Sequence, residues 1–233
     1  MKTNPNFSGI LSRRARIVDL SYAIHGKLPR WPGDKRVFEA KTNATVQKNG
    51  YFTRSFWMLE HYGTHLDAPA HFPPGKKTVD EIPPGRLFGP AVVIDIRKEA
   101  KQDADYRLTL AHVARWEERH GRIPRGAIVL LRTGWASRWP NEKRYRNMDA
   151  RGVMHSPGYS VEAVQVLIRR KVSGIGIDTM NVDYGASLAL RPVLPMVMRG
   201  LPVPRAKRLY IGLDTKREAE DAGVAFGRVC DPV

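Results

Sequence analysis

Three apolar runs bounded by Gly or Pro, 91-AVVIDI-96, 127-AIVLLRT-133 and 174-GIGID-178, predict buried strands. Residues 16-RIVDL-20 predict another short strand, and 52-FTRSFWMLE-60 alternates enough to predict one that leads straight into the segment after it. Between these runs the period lengthens to that of a helix. Thr109 can cap 110-LAHVARWEERH-120, which stops at Gly121, and Ser160 can cap 161-VEAVQVLIRRK-171. In the second of these, Val161, Val164, Leu167 and Ile168 make one apolar face. Strands and helices alternate through the second half, which predicts an α/β domain. Residues 28-LPRWPGD-34 read as a proline-fixed turn carrying Trp31.

Composition narrows the class. At 233 residues one core is the default, because single cores stop growing near ~250–300 residues. The 20 Gly and 17 Pro are ordinary for a loop-rich globular chain and exclude collagen-like and coiled-coil readings. One cysteine, Cys230, allows no intramolecular disulfide and points to a reducing cytoplasm. The N-terminus has no apolar signal core, and no run approaches the ~20 apolar residues of a membrane span, so a soluble, unprocessed protein is expected. The net charge of +16 favours anionic partners. Its lysines and arginines are scattered rather than gathered into a stripe with stacking aromatics. The expectation is therefore a basic surface that can steer a small carboxylate, with no nucleic-acid and no membrane partner.

The chemistry concentrates in 61-HYGTHLDAPAHFPPG-75, where three of the seven histidines and one aspartate fall within eleven residues. Gly63 and the prolines at 69, 73 and 74 rule out a regular helix. His61, His65, Asp67 and His71 all occupy odd positions, so an extended segment would send all four to one side. Tyr62, Leu66, Ala68, Ala70 and Phe72 would then form a mostly apolar opposite face, with Thr64 the exception. Two imidazoles and a carboxylate suit a borderline divalent metal, and three ligands leave the open position of a catalytic site. With no cysteine nearby, Zn²⁺ or Mn²⁺ is the expected cofactor. Such an ion lowers the pKa of bound water toward ~7 and polarises a carbonyl.

The stretch HYGTHLDAPAH resembles the H-x-G-T-H-x-D-x-P-x-H signature of the cyclase family of metal-dependent hydrolases, which includes bacterial kynurenine formamidase (an arylformamidase) and isatin hydrolase. Every signature position is filled. Supporting similarity runs through 19-DLSYAIHGKLPRWPGD-34, 89-GPAVVIDI-96, 129-VLLRTGW-135, 156-SPGYSVEAVQVLI-168 and 174-GIGIDTMNVD-183. The resemblance implies a compact α/β domain with a β-barrel-like sheet and flanking helices, of the swivelling β/β/α type, in a homo-oligomer. It implies His61, His65 and Asp67 as metal ligands, His71 as general acid/base, and Trp31 against the ring of a small aryl amide or formamide. The implied reaction is arylformamidase-type, N-formylkynurenine to kynurenine and formate in tryptophan catabolism, using metal-activated water.

Residues 186–233 diverge from the family pattern. The family completes its metal site with a later His and Glu, whereas no histidine follows His155 here, and the only glutamates after Glu162 are Glu218 and Glu220. Two alternatives therefore stand beside the arylformamidase: an isatin-hydrolase-like cyclic amide hydrolase, and a non-catalytic metal-binding relative. Asp178 and Asp183 read as loop caps before supporting groups of the metal site. His155, before Pro157, reads as structural.

Overall fold

The computed structural model describes residues 18–184, a mixed α/β arrangement of three small sheets and flanking helices. The three apolar runs form β-strands that pair with one another in parallel, in the order β3 (Ala91–Asp95), β5 (Ile128–Arg132), β7 (Gly174–Ile177). Val92 aligns with Val129 and Ile175, and Ile94 with Leu131 and Ile177. Val92, Ile94, Val129 and Leu131 are buried, and the residues between them on β3 are exposed, so β3 turns one face to the core. That face is covered by two helices, α3 (Leu110–His120) and α5 (Val161–Arg169), through Val113, Ala163 and Leu167.

Both helices begin at their expected caps. Ser160 accepts the amide of Ala163, and Thr109 sits in a capping box with His112. The first of them ends against Gly121, whereas α5 stops two residues before the expected Lys171. A short parallel pair, β4 (Arg107–Leu108) with β6 (Gly158–Tyr159), precedes them. Gly158 is needed there because a Cβ would collide with the backbone of Asp183 and Tyr184. The hydroxyl of buried Tyr159 lies within hydrogen-bond reach of the Val129 and Gly176 carbonyls, and burial raises its pKa.

The third sheet is an antiparallel ribbon of β1 (Phe38–Ala44) and β2 (Thr53–Met58), turned by the short helix α1 (Val46–Asn49). Strand β2 was expected within 52–60; β1, with Glu39, Lys41 and Asn43 interspersed, was not. The predicted strand 16–20 is not seen. Val18–Leu20 have no regular structure, because Asp19 turns back to accept the Ser21 amide and hydroxyl, and residues 16 and 17 lie outside the described part. Two further helices, α2 (Arg97–Gln102) and α4 (Glu142–Arg146), lie in the connections. Among the described residues no sheet closes on itself, so the β-barrel-like closure is not observed there. No described helix is long and apolar enough to cross a membrane.

A second, smaller core holds the start of the histidine-rich segment. Leu28, Val37 and Tyr62 are buried together, with Phe38, Met58, Leu59 and Trp139 packed around them. The Tyr62 hydroxyl donates to the His25 carbonyl at 2.7 Å and accepts from the Leu28 amide at 3.1 Å. Tyr62 thus anchors the loop between His61 and Gly63 to the turn that precedes Trp31.

Candidate metal centre

Strand β2 ends at Met58 and the chain enters a series of bends over residues 60–64. Gly63 has φ +72°, a left-handed conformation that costs a side-chain-bearing residue but not glycine. The next residue, Thr64, accepts the Tyr22 amide at 3.3 Å, which ties the loop to the chain's early residues. Pro69 then opens a 3₁₀ turn, Pro69–His71, and Ala70 donates to the Lys77 carbonyl to close the following loop.

This path brings three donor atoms together. His61 Nδ1 lies 2.7 Å from Asp67 Oδ1 and 3.4 Å from His65 Nε2, and His65 Nε2 lies 3.1 Å from the same Asp67 oxygen. For metal–ligand bonds of ~2.0–2.1 Å, tetrahedral ligand atoms stand roughly 3.3 Å apart, so the observed triangle has the right dimensions. His65 Nδ1 donates to the Gly63 carbonyl at 2.9 Å, leaving the lone pair on Nε2, the atom that faces Asp67. The donor set therefore suits a divalent ion in residue type, spacing and tautomer. Among the described residues it is the one group of three or more potential ligands with such convergence.

His71 completes the cluster without joining the triangle. Its ring lies against that of His61, centroids 3.7 Å apart and planes tilted by 37°, and the Phe72 ring centroid lies 4.2 Å from that of His71. The electrostatics separate the roles. When His65 is protonated its Nε2–H bonds Asp67, which raises the His65 pKa, and the same bond, joined by one from His61, pulls Asp67 down to about 2. His71 moves the other way, because burial and then the neighbouring His61 hold it below the ordinary imidazole range.

The cluster forms, but not by strand alternation. Residues 59–68 are bends and irregular chain followed by a 3₁₀ turn, so the expected extended segment is absent. The opposite apolar face is absent too: Tyr62 is buried, whereas Leu66 and Phe72 are exposed. Convergence comes from the left-handed turn at Gly63, which redirects the chain so that positions 61, 65 and 67 meet.

Trp31 lies on the turn that Tyr62 anchors, its carbonyl accepting from Asp34 and from Arg146, and its side chain is partly exposed. Asp178 acts as a loop cap: it accepts from the Thr133 amide and hydroxyl and from the Ala136 amide. Asp183 forms a bridge with Tyr159. His155 is held between Asp105, at 2.6 Å, and Asp149, at 3.7 Å, and the Asp105 contact raises its pKa. Residues Glu218 and Glu220 lie outside the described part.

Sequence reasoning missed an aromatic layer packed against the Tyr62–Thr64 loop. Tyr22 stacks on Trp139 at 4.5 Å, and Trp139 meets Tyr145 edge-on at 5.2 Å. Tyr145 is fixed in turn, its hydroxyl donating to the Asp178 carbonyl and its own carbonyl accepting the Trp135 indole N–H. These residues come from three separate segments, and no local spacing announces their contact.

The Cyclase family, described as "Putative cyclase", matches residues 18–184. The chain belongs to this family. It is 37% identical over 153 residues to isatin hydrolase of Roseibium aggregatum, covering 63% of this chain and 58% of that protein. It therefore spans less than two thirds of that relative's length. It is 26% identical over 190 residues to kynurenine formamidase of Paracidovorax citrulli, covering 79% of this chain and 78% of that one. Among solved structures, isatin hydrolase A from Ralstonia solanacearum superposes with a TM-score of 0.70 at 34% identity, over 84% of this chain and 80% of its own.

Proposed function

We propose that this protein is a divalent-metal-dependent hydrolase that opens the C–N bond of a small aryl amide, with a cyclic amide of the isatin type as the preferred substrate. The observation that supports it most is the His61–His65–Asp67 triangle with the His71 ring, its pKa lowered, lying tilted against His61. Zn²⁺ or Mn²⁺ suits this donor set. When bound, such an ion supplies a Lewis acid for the amide carbonyl and lowers the pKa of water toward ~7.

The chain's residues do the rest. His61 Nδ1 and His65 Nε2 would hold the ion through their ring nitrogens, and Asp67 would supply charge that offsets part of the ion's. His71, below the ordinary imidazole pKa, is unprotonated near pH 7 and takes a proton from the attacking water. It returns that proton to the leaving nitrogen as the C–N bond breaks, so one water adds across the amide to give an amine and a carboxylic acid, which then releases its proton to solvent as the carboxylate forms. Trp31 lies against the aryl ring of the substrate. The reading also takes in one cyclase-like domain over residues 1–233, barrel-like closure of its sheet, and a cytoplasmic homo-oligomer without nucleic-acid or membrane partners.

Arylformamidase activity is the second reading, supported by similarity to the Paracidovorax citrulli formamidase over most of this chain. The higher identity to isatin hydrolase moves the preference to ring opening. Stripping the protein with chelator, restoring Zn²⁺ or Mn²⁺, and measuring turnover of isatin and N-formylkynurenine tests this. Metal-restored turnover with the larger kcat/KM on isatin is expected. A larger value on N-formylkynurenine selects the second reading, and a metal-loaded protein inert to both identifies a non-catalytic metal-binding relative.

A further inference from the structure

Residues 25–34 carry Trp31 in two successive turns. The first is closed by the Leu28 amide on the His25 carbonyl at 3.3 Å, the second by the Asp34 amide on the Trp31 carbonyl at 3.2 Å. Pro32 and Gly33, the latter with φ +96°, are the residues that the middle of a type II turn takes. The first turn is fastened to the metal loop by the Tyr62 hydroxyl, which bonds both His25 and Leu28. The second is fastened from elsewhere. Arg146, the last residue of α4, donates through Nε to the Arg30 carbonyl at 2.7 Å and through Nη2 to the Trp31 carbonyl at 3.3 Å.

These two carbonyls belong to the peptide groups on either side of the Trp31 Cα. Planar peptides leave φ and ψ as the only soft dihedrals, so holding both groups fixes the direction in which the Trp31 side chain leaves the backbone. The clamp is itself well anchored. A five-residue helix is too short to persist alone, but Asn141 caps α4 by accepting the Arg144 amide. Buried Tyr145 is bonded through its hydroxyl to the Asp178 carbonyl and through its own carbonyl to the Trp135 indole. Glu142, one helical turn before Arg146, lies 2.7 Å from Nη2 and aligns the guanidinium. The Arg146 side chain is 20% exposed, whereas Trp31 is 38% exposed. The clamp is thus largely shielded from water, and the ring it aims is open to a ligand.

We infer that Arg146 is a positioning residue for substrate. By holding the Arg30 and Trp31 carbonyls it sets Trp31 against the aryl ring, and so sets affinity without touching the reacting bond. The inference rests on the reading of Trp31 given above. A ring contact remote from the C–N bond is present in ground state and transition state alike, so its loss should raise KM and spare kcat.

The test is steady-state kinetics of the Zn²⁺- or Mn²⁺-restored full chain on isatin and N-formylkynurenine, for wild type, Arg146→Ala, Trp31→Ala and the double variant. Arg146→Ala should raise KM by at least about 10-fold, the worth of one charge-assisted hydrogen bond. Its kcat should stay within about 2-fold of wild type. The double variant should be no worse than Trp31→Ala, since both changes remove the same contact. Hydrogen exchange gives the second readout. In Arg146→Ala the Asp34 amide should lose protection, while the Leu28 amide, held by Tyr62, and the Val129 amide of the core sheet keep theirs. Arg146→Lys keeps a charge beside Glu142 but cannot fork to two carbonyls. It should raise KM likewise, and it takes over both measurements should Arg146→Ala fail to fold.

Wild-type KM in Arg146→Ala beside a raised KM in Trp31→Ala would overturn the inference alone. So would additive effects in the double variant, a fall in kcat as large as the rise in KM, or unchanged protection at Asp34. Equal loss of protection at Asp34, Leu28 and Val129 would also overturn it, by showing that Arg146 only stabilises the fold. A wild type inert to both substrates, or Trp31→Ala with wild-type KM, would sink the reading of Trp31 and the inference with it.

Discussion

His65 shows how one residue can be bound on both sides. Its Nδ1 is committed to the Gly63 carbonyl and its Nε2 faces Asp67 and His61. Removing it takes one corner from the donor triangle and leaves a two-point site. His65→Ala should therefore lose most of the metal that the wild type retains through gel filtration, as read by elemental analysis; full retention would refute the ligand assignment. His71 should behave differently, since its ring lies against His61 without entering the triangle. His71→Ala should keep the metal and lose turnover by ~10²–10⁴-fold, the usual contribution of a general acid/base. A matching loss of metal would make it a ligand instead. That these four side chains gather was legible in the sequence, because imidazole and carboxylate at close spacing in one short segment cannot lie far apart. Their geometry was not, because parity describes an extended chain and Gly63 turns this one into the left-handed region.

At the scale of elements, the pattern worked best where burial is one-sided. Helix α3 and the three core strands appear within a residue or so of their expected bounds, since their apolar positions have a single core to face. Strand β1 escaped because nearly every position of FEAKTNA is solvent-facing, and its pairing to β2 supplies what its own pattern does not. Helix-to-helix contact was equally hidden. Glu117 of α3 receives Arg170, just beyond α5, through two hydrogen bonds of 2.7 and 2.8 Å, and also accepts the Ile123 amide. Arg170 holds the Glu117 pKa below its ordinary value, so the pair stabilises the fold fully above about pH 4.5 and loses that contribution as pH falls through the depressed folded value. Glu117→Gln should lower stability at pH 7 by about 1–2 kcal/mol in urea unfolding, since the pair is partly screened by solvent. It should also flatten the decline of stability below pH 4.5. A substitution neutral at pH 7 with an unchanged acid limb would show that the two helices are held by apolar packing alone.

For the whole molecule, family membership rests on residues 18–184, and those residues carry the full donor triangle. A second tightly held ion would require further donors that share or approach Asp67. Among the described residues no other group of three potential ligands converges, and no histidine follows His155 anywhere in the chain. The seven histidines are otherwise spent on separate local contacts, as at His112 with Thr109 and His155 with Asp105. The net charge of +16 acts in the same direction, since it disfavours each additional cation. One tight divalent ion per chain is the expected stoichiometry, and any further ion should leave under mild chelation. Titrating chelator-stripped protein with Zn²⁺ or Mn²⁺ and counting ions retained after gel filtration measures this directly. Two retained ions per chain would mean that donors outside residues 18–184 complete the centre, and the single-ion reading of His61, His65 and Asp67 would fall.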